Sequence, residues 1–150
     1  MEGFQEPDYD KALEYGILSY DMGDKRTADE VGHIYNFGYA STGKNYDEAM
    51  KWYKLSMEQE QNGYVACCLG CMYQYGNTSE GKDIEKALEY QLQSIELGHK
   101  YAYRHLGEIY EENGDIAKAK EAYTSFKDYG EEANNSEWIE WAKGKLDALN

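Results

Sequence analysis

Apolar residues recur along almost the whole chain at spacings of three and four, with Glu, Lys and Gln filling the places between them. That is the helical period, so the pattern predicts amphipathic helices and no strands. The first helix is expected over residues 8–23, with Asp8 as N-cap and Ala12, Tyr15, Ser19 and Met22 on its buried face. A second over 26–39 would bury Ala28, Val31, Ile34, Tyr35 and Gly38. A third, starting at the N-cap Asn45, would bury Ala49, Trp52, Tyr53 and Met57 and end near Gly63. The next pair carries Ala66, Leu69 and Tyr73 on one helix and Ala87, Tyr90 and Ile95 on the other, with Asp83 as the cap. A tighter pair over 101–113 and 115–129 follows. The last helix, 136–149, points Ile139, Ala142, Leu146 and Leu149 inward beside Trp138 and Trp141.

A second, longer period overlies the first. Gly32, Gly70 and Gly107 each sit inside a predicted helix, 38 and then 37 residues apart, which places the chain among repeat architectures. A glycine in a helix interior costs about 1 kcal/mol against alanine. Its recurrence therefore predicts close approach by the partner helix. The fold class expected is all-α: an α/α superhelix, or solenoid, of stacked antiparallel helix hairpins, forming a single domain over residues 1–150. Its parts are a lone helix over 8–23, repeats over 26–63, 64–98 and 101–130, and a capping helix over 136–149 that covers the last apolar face.

Composition narrows the function. No apolar run approaches the roughly 20 residues of a membrane span. The beginning MEGFQEPDYD has neither a basic n-region nor an apolar core, so a secretory signal is not expected and a cytoplasmic location is. The net charge of −14 is spread evenly, with 13 acidic and 6 basic residues before position 64 and 16 and 9 from there on. Such a field repels phosphate backbones and anionic lipid and attracts a basic partner.

The cysteines occur together as Cys67-Cys68-x-x-Cys71, a spacing unsuited to stapling distant elements and consistent with a reducing compartment. Cys67 and Cys71 share a helix face, and His33 and Glu108 hold the position equivalent to Cys71 on neighbouring first helices, so a bridging zinc site can be drawn from them. Helix axes about 8–10 Å apart disfavour it, and cysteine also packs as a small hydrophobe. No metal or cofactor is expected. Phosphate-loop and catalytic-serine signatures are absent, and the histidines lie on other elements than the thiols, so no enzyme is expected.

The framework Ala66-x-x-Leu69-Gly70-x-x-Tyr73-x-x-Gly76, followed by Asp83-x-x-Lys86-Ala87-x-x-Tyr90 and a closing Gly98, resembles the Sel1-like repeat. Residues 26–63 are similar, with Asn45 in place of the usual Asp and about three extra residues before Gly63. Residues 101–130 resemble a tetratricopeptide repeat through Leu106-Gly107-x-x-Tyr110, Gly114-Asp115, Lys118-Ala119 and Ala122-Tyr123. The cysteine pairing of many secreted Sel1-like proteins has no counterpart.

The resemblance implies a non-enzymatic adaptor or scaffold that binds a protein or peptide segment in its concave groove. Transferred by register, the groove residues are Arg26, Asp29, His33, Asn36 and Phe37; then Tyr64, Cys67, Cys71, Gln74 and Tyr75; then Tyr101, Arg104, Glu108, Glu111 and Glu112. A grip on a peptide's terminal carboxylate is not expected, because Asp29, Glu108 and Glu111 crowd Arg26, Asn36 and Arg104. The alternative is an acidic inhibitor or decoy occupying a basic nucleic-acid-binding surface. The unpaired first helix also leaves an apolar edge that a second copy could cover.

Overall fold

The computed structural model describes residues 6–150, and among them the chain is helical without strands. Eight α-helices follow one another: α1 Tyr9–Asp21, α2 Ala28–Phe37, α3 Tyr46–Gln59, α4 Gly63–Tyr75, α5 Ile84–Glu96, α6 Ala102–Glu112, α7 Ile116–Glu132 and α8 Ser136–Ala148. Six of them start on an Asp or Asn side chain that accepts a backbone N–H of the first turn: Asp8, Asn45, Asn62, Asp83, Asp115 and Asn135. Each such cap stabilises its helix by about 1 kcal/mol. The other two are entered differently. A 3-10 turn, Lys25–Thr27, capped by Asp24, leads into α2, and α6 continues from Tyr101 in helical conformation. None of the helices among the described residues is long and apolar enough to cross a membrane.

The chain forms two compact units, Met1–Gln61 and Asn62–Asn150. In the first, α1 lies on α2 and α2 pairs with α3. Leu13, Ala28, Val31, Ile34, Ala40 and Trp52 make its core, with Tyr9, Ile17, Tyr20, Tyr35 and Leu55 packed around them. The expected face of α1 is therefore wrong. Tyr15 is 62% and Met22 80% exposed, Ala12 faces solvent, and Ser19 is only half-buried. Both faces satisfy helical spacing, but the one carrying Tyr9, Leu13, Ile17 and Tyr20 offers far more apolar area, and burial follows area.

In the second unit α4 pairs with α5, α6 with α7, and α8 closes on α7. Leu69, Tyr73, Leu106, Ile109, Tyr123 and Phe126 are among its large buried side chains. Trp138 and Trp141 of α8 pack on Phe126 at 5.8 and 5.6 Å; of the expected inward stripe Ala142 is fully buried, while Ile139, Leu146 and Leu149 are half-buried. The inner stripe of α5 departs from expectation. Ala87, Gln91 and Ser94 are its buried residues, while Tyr90 and Ile95 lie half-buried at the margins.

The recurring glycine explains that stripe. A Cβ at Gly32 would sit 2.6 Å from Tyr53 Cδ1, one at Gly70 2.6 Å from Gln91 Nε2, and one at Gly107 2.4 Å from Tyr123 Cε1. In every hairpin the first helix leaves out a side chain and the second helix lays one across the gap. Gly107→Ala should therefore destabilise the protein by about 1–2 kcal/mol, overpacking outweighing the gain in helix propensity. Gly144→Ala, at a helix position with open space around it, should instead add about 0.5–1 kcal/mol. Urea unfolding of both variants checks the opposite signs.

Candidate functional site

The first helices of the second unit, α4 and α6, carry nine of the fifteen candidate groove residues, and Tyr101 immediately precedes α6. Among them lies a recess of about 480 Å³ lined by Gln74, Tyr75, Glu108, Glu111, Glu112 and, from α8, Lys145. Tyr75 is 57% exposed at its edge. Gln74 is only 1% exposed, and neither its amide nitrogen nor its amide oxygen has a hydrogen-bond partner. A buried amide left in that state costs about 1–3 kcal/mol.

The carboxylates of the recess are engaged from within the unit. Glu108 meets Arg104 Nε at 3.4 Å and His105 Nδ1 at 3.3 Å. Glu111 accepts from Tyr123 Oη at 2.5 Å and from Lys145 Nζ at 3.0 Å, and Glu112 lies 3.3 Å from Lys82 Nζ. Burial pushes the Glu108 carboxyl up, but His105 and Arg104 outweigh it and hold it below the usual range. The hydrogen bonds from Tyr123 and Lys145 hold Glu111 low as well. Burial, then the Glu108 charge, pushes the Tyr75 hydroxyl up to about 12.

Tyr101 and Arg104 serve the packing of this unit. The Tyr101 ring meets Phe126 at 5.4 Å and Trp138 at 5.3 Å edge-on, and its oxygen accepts from Arg104 Nη1 at 2.7 Å. The Arg104 guanidinium lies 4.3 Å over the Trp141 ring. Tyr64 is 38% exposed, edge-on to His99 at 5.6 Å. Cys67 is buried and Cys71 half-buried, so these two do not line an open surface, and Gln74 lies buried at the floor of the recess.

In the first unit Arg26 stands in the 3-10 turn, paired with Asp24 at 2.9 Å. Asp29 opens α2 and accepts from the Glu30 N–H, and His33 contacts the Asp29 carbonyl through Nδ1 while its ring meets Tyr53 edge-on at 5.4 Å. Asn36 is half-buried. Phe37, 40% exposed, stacks on Tyr39 at 5.4 Å, and Tyr39 stacks on Tyr9 at 4.9 Å.

Three participants escaped the register argument. Lys145 comes from the closing helix, outside any repeat. Tyr39 follows the helix end and joins Phe37 in an exposed stack. His105 lies two places before Gly107, a position the groove register passes over, yet its ring comes within 4.8 Å of the Cys67 and Cys71 sulfurs. Its shared hydrogen bond with Cys71 matters to both groups. The bond from Cys67 and the one with His105 lower Cys71 against its burial, while burial lowers His105 less than Cys71 and Glu108 raise it.

The family model described as Sel1 repeat matches residues 1–24, 28–60 and 67–99. No curated protein matches the chain. Among solved structures, the crystal structure of a Sel1 repeat protein from Oxalobacter formigenes is similar at 25% identity and a TM-score of 0.68, over 87% of this chain and 51% of that one. The chain thus spans about half the length of that relative and shares its α/α solenoid fold.

Gln74→Met keeps the volume and removes the orphaned amide, so it should raise the unfolding free energy by about 1–2 kcal/mol in urea titrations. Glu111 provides a pH test. Its folded pKa lies below the ordinary 4.5, so the unfolded chain takes up the proton first and the stability Glu111 contributes, present above about pH 4.5, is lost as pH falls through the folded value. Tyr123, Lys145 and Glu108 are the groups acting on it. The stability difference between wild type and Glu111→Gln should shrink on acidification below that pH, read from unfolding midpoints.

Proposed function

The chain belongs to the Sel1 repeat family, whose members generally mediate protein–protein interaction, and from that premise we propose that the α4–α6 face of its second unit holds a segment of a partner protein. The observation that carries this reading is Gln74. A peptide unit presents one donor and one acceptor, the two complements that a buried, unpartnered side-chain amide lacks. Tyr75 beside it supplies a ring for apolar contact and a hydroxyl at the rim, the combination interfaces favour. Both Gln74 amide atoms are shielded from solvent, so the side chain swings out into the recess as the segment binds, pairing with its backbone or with an Asn or Gln side chain, while Tyr75 takes an apolar group.

Charge has a secondary part here. The internal cations already hold Glu108, Glu111 and Glu112, so a basic partner is drawn by the overall −14 and then recognised by the recess. The protein acts as a non-enzymatic scaffold, and its three free thiols suit a reducing compartment such as the cytoplasm.

Affinity capture from the source lysate, followed by titration of the captured protein, tests the reading. Wild type should retain its partner through moderate salt, and Gln74→Met and Tyr75→Ala should each weaken binding about tenfold or more. Because Gln74→Met is expected to be more stable than wild type, its loss of binding cannot come from unfolding. Binding that vanishes with salt and ignores both substitutions would overturn the recess and favour dispersed charge, the behaviour of an acidic decoy.

A further inference from the structure

We propose that Cys67, Cys71 and His105 form a zinc-binding site between α4 and α6, with one coordination place left open. The three donor atoms lie within 4.8 Å of one another. At the corners of a tetrahedron with Zn–S about 2.3 Å and Zn–N about 2.0 Å, donors stand about 3.5–3.8 Å apart, so closure needs movements of an ångström or less. Two thiols one helical turn apart and one imidazole from the neighbouring helix make a donor set that zinc accepts. The surrounding second unit holds both helices in place, so the ligands meet without a tight turn.

The groups around the donors fit the same use. His105 Nδ1 lies 3.3 Å from Glu108 Oε2, which leaves Nε2 as the ligating nitrogen and reproduces the carboxylate–histidine–metal arrangement. Gln91 Nε2 reaches Cys71 Sγ at 3.5 Å and the Cys67 carbonyl at 3.2 Å, a donor placed to bond a metal-bound thiolate. The comparison among hairpins is independent of these distances. The side chain laid over the helix glycine is an aromatic at Tyr53 and Tyr123, but an amide at Gln91, in the one hairpin that carries the thiols. Packing alone does not call for a buried amide there, whereas bonding to sulfur does.

Cys67 is buried, whereas Cys71 and His105 are half-buried, so the open place faces a side that solvent can reach. Water or a donor from another molecule takes the fourth position. On binding, the two S–H groups give up their protons to the buffer and the sulfurs donate electron pairs to zinc, with no change of oxidation state.

The test uses the full chain, reduced, stripped with chelator, and checked for three free thiols. Cobalt(II) serves as the spectroscopic probe. One equivalent should produce a thiolate-to-cobalt charge-transfer band with the visible bands of a tetrahedral site, and one equivalent of zinc should abolish both. Cys71→Ser and His105→Gln should lose the signal, Cys68→Ser should keep it, and Glu108→Gln should keep the spectrum while weakening affinity about 10- to 100-fold. Circular dichroism establishes that each variant is folded. If Cys71→Ser does not fold, the His105→Gln variant, which replaces a mostly buried ring by a smaller polar side chain, decides. A wild-type protein without the charge-transfer band, or a band that survives in folded His105→Gln, would overturn the proposal. No partner protein enters the measurement, so its failure leaves the recess reading untouched.

Discussion

Each hairpin depends on one contact: a side chain of the second helix lying across a glycine in the middle of the first. Tyr53 on Gly32, Gln91 on Gly70 and Tyr123 on Gly107 all approach so closely that even a methyl group would collide. The glycine sacrifices about 1 kcal/mol of helix propensity, and the hairpin recovers it through the area that the crossing side chain buries. Everything else is set by that distance. It fixes which residues of α5 turn inward.

The consequence is clearest in α4. Val65, Ala66, Leu69, Met72 and Tyr73 are buried along it, and Cys67 and Gln74 are buried as well, so this helix is enclosed nearly all round. A helix in that position is expected to be apolar throughout. Gln74 breaks the rule on α4, as Gln91 does on the face of α5 laid against Gly70, each with at least one amide atom lacking a partner. Buried polar groups without partners are rare enough that each asks for an account. The two settings are local and separate: Gln74 lies at the floor of the recess, and Gln91 beside the thiols.

Much of the fold was legible in the sequence because its signals are local. Asp8, Asn45 and Asp83 were read as caps from residue type and position, and each accepts the expected backbone N–H. The glycine period located the hairpins for the same reason. The face of α1 was misread because spacing alone fixes a helix's stripes and not which of two stripes is covered; Leu13 against Ala28 and Val31 is a tertiary fact. The inward turn of Gln91 was missed for a related reason. Its partner is a gap in another helix, which hydropathy does not record.

The candidate site was legible only as a register. Counting from the helix glycine brought Gln74, Tyr75, Glu108, Glu111 and Glu112 to one recess. It could not foresee that the carboxylates would be held by Arg104, His105, Tyr123, Lys145 and Lys82, since those contacts come from other turns and other helices. That occupancy changes what the surface can recognise. A free acidic cluster would select partners by charge and lose them to salt, whereas paired carboxylates form a rigid rim whose field is largely cancelled. On the proposed reading, selectivity falls to the groups that have no internal partner, and on this face the amide of Gln74 is such a group.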